Sequence, residues 1–219
     1  MDIGGYWATF VSIILGLGVA DLLMNFHRLL HERKRVSWDA LPLVWALIAL
    51  LWIVNYWWAV AGNLTRWSEL RVVIEFALAA VPPIMLFLLA ASLLPRAMPA
   101  EGRLDMRAEW QKARGLFLTL AVIYQCLAWI NVTLTSGGLV WDFVALVRGV
   151  FLGAMVLALV LKDRRMDWAA ALVVGVVVVL IGVVLLMRGR AMLQTGNLAP
   201  QRTIASLRAD TAMVKEQVS

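Results

Sequence analysis

One cysteine, Cys126, and two histidines, His27 and His31, are the only residues of those two metal-binding types in this 219-residue chain. A lone cysteine excludes an intramolecular disulfide, so cysteine usage leaves the redox compartment open. Inside an apolar run, Cys126 reads as a small buried side chain. His27 and His31 stand i, i+4 and share one helix face. A tetrahedral metal site would need carboxylates from elsewhere, and two histidines of one helix cannot clasp a haem between them. No metal and no cofactor is expected. Charge is scarce too, at 16% of residues against about a quarter in soluble domains. No nucleophile–base pair lies within the apolar runs. Phosphate-cradling loop, metalloprotease helix and strained nucleophile elbow are all missing, which argues against an enzyme. The opening residues MDIGGYW lack a positive n-region and a small-residue cleavage site, so the first apolar run is read as a retained span.

What the chain has in quantity is apolar surface. Hydrophobic residues make up 63%, and the few charges are clumped. A bilayer core requires about 20 consecutive apolar residues. Six such runs occur, at about 6–30, 38–61, 70–94, 115–135, 139–161 and 168–187. They are continuous rather than alternating, which excludes a β-barrel. The expected fold is all-α, a polytopic membrane protein of six transmembrane helices with an amphipathic C-terminal helix. The expected division is a six-span domain over 1–188 and a tail over 189–219.

The stretch GLGVADLLMNFHRLLHERKR, residues 16–35, leaves the first run in a cluster of positive charge. Alternate loops repeat the pattern. Arg28, Arg33, Lys34 and Arg35 lie in the first, Arg96, Arg103, Arg107, Lys112 and Arg114 in the third, and Lys162, Arg164 and Arg165 in the fifth. The opposite loops hold Arg66 and Arg71. The positive-inside rule puts the basic loops in the cytoplasm and the N-terminus outside. Six spans then leave the tail outside as well, in tension with its Arg188, Arg190, Arg202, Arg208 and Lys215. The net charge of +6 is explained by topology, and nucleic acid is not an expected partner.

Eleven tryptophans are many for this length. Trp7, Trp38, Trp67, Trp110, Trp141 and Trp168 fall at span ends, where an amphipathic indole suits the headgroup level. Trp45, Trp52 and Trp129 lie deeper and are expected to pack between helices. Pro82 and Pro83 interrupt the third run, removing two helix donors, so a kink or helix break is expected there. The tail places Ile204, Leu207, Thr211, Val214 and Val218 along one helical stripe after Pro200. Such a helix would lie on the membrane or pair with a partner. Small-residue steps at Gly16–Ala20 and Gly149–Gly153 would let helices approach closely. Trp38-Asp39 and Trp141-Asp142 both open runs, an echo as readily explained by aspartate N-caps as by an inverted repeat.

Ionisable residues inside spans are costly unless paired. At 1.5 Å per residue, Glu75 lies about 8 Å and Arg148 about 13 Å below the outer ends of their runs. Asp21 lies about 22 Å down the first. Depth therefore pairs Glu75 with Arg148, with Asp142 near the outer mouth as a second acceptor. The pair reads either as a register-fixing ion pair or as a ligand site. Asp21, Asn25 and Arg28 are spaced i, i+4, i+7 and form a separate polar cluster on one face.

The first two runs and their basic loop, about a quarter of the chain, resemble a group of small bacterial multi-span membrane proteins. The carrying residues are GLGVADLLMNFHRLLHERKRVSWDALPLVWALIAL with NYWWAV. In that group other polar residues occupy the place of Asp21, so its carboxylate is not carried over. The resemblance implies the bacterial inner membrane and no particular activity. Three function classes stay open. One is a non-catalytic accessory, assembly or scaffolding subunit, touching lipids and other subunits through Trp-rich faces or the tail. Another is a small channel or transporter around Glu75 and Arg148. The third is an intramembrane enzyme acting on a lipid-like substrate.

The orientation is open to labelling in intact cells. A cysteine introduced beside Arg33 or Arg103 is expected to resist an impermeant thiol reagent until the membrane is permeabilised. Labelling of the Arg33 loop from outside would reverse the topology.

Overall fold

A computed structural model of the chain describes residues 3–61, 73–135 and 143–195. Among them are six helices: α1 (Ile3–His31), α2 (Ala40–Ala61), α3 (Val73–Ala91), α4 (Met106–Thr135), α5 (Phe143–Leu161) and α6 (Arg164–Thr195). Two-residue strands β1 (Val36–Ser37) and β2 (Leu104–Asp105) complete the regular structure. The fold is all-helical. Helices α1, α2 and α4 contain stretches long and apolar enough to cross a membrane, namely Gly5–His31, Ala40–Trp58 and Met106–Ile130. Shorter apolar stretches occupy Ala79–Ala91 and Ala145–Leu161. The stripe expected along the tail lies outside the described residues. The chain forms two compact units, 1–178 and 179–219, and the second is described as helix as far as Thr195.

Each helix of the first unit buries one face. In α1 the buried positions are Trp7, Val11, Leu15, Leu22 and Leu29, while Ile13, Leu17 and Met24 are exposed. In α5, Phe151, Met155 and Ala158 are buried, and Leu146, Val150, Leu157 and Val160 are exposed. Both sets recur at the helical period, so apolar side chains cover both faces. Between apolar helices in lipid, association rests on close packing and interhelical bonds. The close approach occurs at Gly18. A Cβ there would stand 3.4 Å from Ile53 Cδ1 and 3.5 Å from the Phe87 Cα, so α1, α2 and α3 meet at one point. The expected steps do less. Gly16 and Ala20 are both exposed, and a Cβ on Gly16 or Gly153 would meet nothing within 4 Å.

At the proline pair the helix continues. α3 runs helical through Pro82 and Pro83, both buried, with no break in the element. Each ring removes one i→i−4 donor, and the turns on either side carry the helix across the gap.

Helices restart at the basic end by one device. Asp39, Asp105 and Asp163 each precede a helix, and each carboxylate accepts the N–H two residues on: Leu41 at 2.9 Å, Arg107 at 2.9 Å and Arg165 at 3.2 Å. A capping oxygen satisfies an orphan donor for about 1 kcal/mol, and its charge suits the positive end of the helix dipole. The first and third loops are also joined. Val36 pairs in parallel with Leu104 and Ser37 with Asp105. Beside them Arg35 Nη2 donates to the Pro99 carbonyl at 2.7 Å, in a loop that turns at Gly102 with φ +85°.

The α5–α6 turn carries a strained residue. Lys162 follows the last residue of α5 with φ +50°, the left-handed conformation that glycine adopts freely. Lys162→Gly is expected to stabilise the fold by about 0.5–1 kcal/mol, and Lys162→Val to cost about 1–2 kcal/mol. Unfolding midpoints of the two purified variants in detergent check the pair.

Candidate functional site

The densest polar constellation lies where α4, α5 and α6 meet at the basic end. α4 begins at Met106, so Trp110 and Arg114 sit on a helix already packed inside the bundle. Asp167 lies in the first turn of α6 and is 3% exposed. Arg114 Nε donates to Asp167 Oδ2 at 3.0 Å and Arg114 Nη2 to Oδ1 at 2.8 Å, a two-pronged pair. The same Nη2 donates to the Ala158 carbonyl of α5 at 2.6 Å. Trp110 Nε1 donates to Asp167 Oδ2 at 3.0 Å. Two parallel charge-assisted bonds fix geometry as well as charge. Asp167 thus accepts three bonds, and the guanidinium bridges two further helices.

Aromatic rings floor this network. Trp110 stacks on Trp45 at 6.4 Å between centroids, and Phe117 stands edge-on to Trp45 at 5.1 Å. The Trp45 indole N–H has no hydrogen-bond partner among the described residues. On the rim, Arg164 Nη2 reaches Asp39 Oδ2 at 2.7 Å, joining the start of α6 to the cap of α2. Asp39 therefore serves as cap and ion-pair partner at once.

The expected site residues are placed as follows. Asn25 Nδ2 donates to Asp21 Oδ2 at 3.0 Å, the i, i+4 contact read from the spacing. Among the described residues the cation nearest Asp21 is Arg96, at 4.0 Å, rather than Arg28. Arg148 is half-buried in α5, close enough to Tyr124 for its charge to act on the phenol. Tyr124 in turn packs against Trp52, with ring centroids 5.9 Å apart. Glu75 stands in α3, but its side chain and all of Asp142 lie outside the described residues. His27 and His31 stack at 6.5 Å, and among the described residues no three His, Cys, Asp or Glu gather as a metal site.

Of the tryptophans expected at span ends, Trp7 and Trp110 are buried within the protein and Trp38 is exposed; the deeper Trp45 and Trp52 are buried, and Trp57 and Trp58 are exposed. Trp57 donates from Nε1 to Ser12 Oγ at 3.1 Å. Sequence reasoning missed Asp167 and the role of Arg114. The available signal was an acidic residue in RRMDW, one turn after a chain reversal, with no charge partner of its own on that turn except arginines on its flank.

Comparison of the chain with protein-family models, curated proteins and solved structures returns no match. The geometry alone therefore carries the chemistry. Asp167 accepts two bonds on Oδ2 and one on Oδ1, so that this buried carboxylate clamps α4 to α6.

Breaking a buried pair leaves an uncompensated charge, at about 3–5 kcal/mol. Asp167→Ala and Arg114→Ala are each expected to cost that much in detergent unfolding. The double variant Arg114→Met/Asp167→Leu is expected to recover most of it, because well-packed apolar replacements of a buried pair approach neutrality.

Proposed function

We propose that the protein is a non-catalytic subunit of the bacterial inner membrane, an accessory, assembly or scaffolding component. In this reading it has six spans, its basic loops in the cytoplasm and its N-terminus outside. One observation carries it. The buried charge at the centre of the basic end is spent on holding helices together, with Asp167 closed off by Arg114 and Trp110. Away from that clamp the helices present aliphatic faces, and the far end of α2 carries the exposed pair Trp57 and Trp58. Aromatic residues are enriched where protein partners meet, and a rigid body with an apolar flank suits assembly with other membrane subunits. Membrane lipids and such subunits are the proposed partners.

A second reading has its own support. Arg148 is a half-buried cation in α5 within electrostatic reach of Tyr124, and a charge inside an apolar helix is what a small channel or transporter would use. The two readings separate experimentally. A benzophenone side chain in place of Trp58 is expected to give one discrete protein adduct in native membranes. Reconstituted protein is expected to pass no ions above empty liposomes. A saturable flux that disappears in Arg148→Gln would overturn the subunit reading in favour of transport.

A further inference from the structure

We propose that the groove between the end of α3 and the first turns of α4 is a binding site for an anionic phospholipid. It would hold the phosphodiester at Arg96 and Lys112 and the upper acyl chain along Leu116 and Leu120. The groove is open, with a volume of about 580 Å³. Its lining changes character along its length. Lys112, Leu116 and Leu120 stand i, i+4, i+8 on one face of α4, so about 12 Å separates the cation from the apolar end. Leu88 faces them from α3, and both Leu88 and Leu116 are exposed. Such a gradient, cation above and aliphatic surface below, matches a lipid that enters at the boundary between headgroups and hydrocarbon. A soluble anion would find half of this surface useless.

The charges are available for a ligand. The Arg96 side chain is 63% exposed, and its nearest carboxylate, Asp21, lies 4.0 Å away, beyond a good hydrogen bond. Its planar fork is therefore free to take two phosphate oxygens. The Lys112 side chain is 72% exposed and commits one of three ammonium donors to Glu109 at 2.6 Å. With Glu109 counted, the lining carries one net positive charge, and Asp21, outside the lining, stands 4.0 Å from Arg96. The long stems of both cations can lie along the apolar wall while their heads stay at the interface. The site is independent of any partner subunit.

The test uses the full chain in mild detergent, with equimolar phosphatidylglycerol and phosphatidylcholine of equal chain length, read by native mass spectrometry. Phosphatidylglycerol is expected to be retained at least about threefold over phosphatidylcholine. Arg96→Ala/Lys112→Ala should bring the two to parity. Leu116→Trp keeps both charges but fills the groove, and should lower phosphatidylglycerol retention as far. A tenfold excess of soluble glycerol phosphate should leave the lipid adduct in place. Parity in the unaltered protein overturns the site, and so does a preference that survives either variant. Displacement by glycerol phosphate would show an anion site in place of a lipid site. All substituted side chains are exposed, so an unchanged unfolding midpoint accompanies the expected result.

Discussion

A guanidinium withdrawn from water must find fixed acceptors, and that requirement at Arg114 organises the basic end of the bundle. Its Nε and Nη2 reach Asp167 of α6 and the Ala158 carbonyl of α5, from a side chain carried by α4. Three helices are thereby set in depth and rotation relative to one another. Asp167 in turn orients the Trp110 indole, and Trp110 fixes the rings of Trp45 and Phe117. Replacement of such a pair by apolar residues can be neutral in stability, so its contribution here is read as register. In lipid, where apolar helices have little reason to prefer one rotation over another, register is what a sequence must supply.

Around this pair the connections are held by caps and pairings. Aspartate caps at Asp39, Asp105 and Asp163 start three helices with the same bond, and Asp39 adds Arg164 as a partner. The two-stranded parallel pair and Arg35 hold the first basic loop against the third. A parallel pair of two residues is weak alone; here Val36 and Leu104 are both buried, so the strands are pinned by packing as much as by their ladder. Basic residues that a topological reading counts as a uniform positive belt thus divide into ones bonded across elements, such as Arg35, Arg114 and Arg164, and ones more exposed, such as Lys112, whose bond to Glu109 is local, and Arg96, 4.0 Å from Asp21.

Helical class and the membrane-length stretches of α1, α2 and α4 were legible because bilayer thickness imposes a length that hydropathy reports directly. The Asp21–Asn25 contact was legible because it is local, at i, i+4. Arg114 and Trp110 were not. Both precede the apolar part of their helix, and charge counting assigns such residues to a loop. Their partner lies more than fifty residues away, beyond any local pattern. Gly18 shows the same limit in packing. Gly16 and Gly18 are alike in sequence, and only the neighbouring helices decide which one faces protein.

The clamp made by Arg35 also sets an order of events in biosynthesis. Arg35 meets the Gly102 loop 67 residues further along the chain. At a synthesis rate of about 5–20 residues per second, about 3–13 seconds pass before that loop exists. Through that interval Arg35 lacks its partners in the Gly102 loop and has only the local carboxylate of Glu32, 3.6 Å away. The bond closes only after the intervening helices have been made, so one arginine serves first in a local pair on a nascent chain and later as a bolt between finished loops.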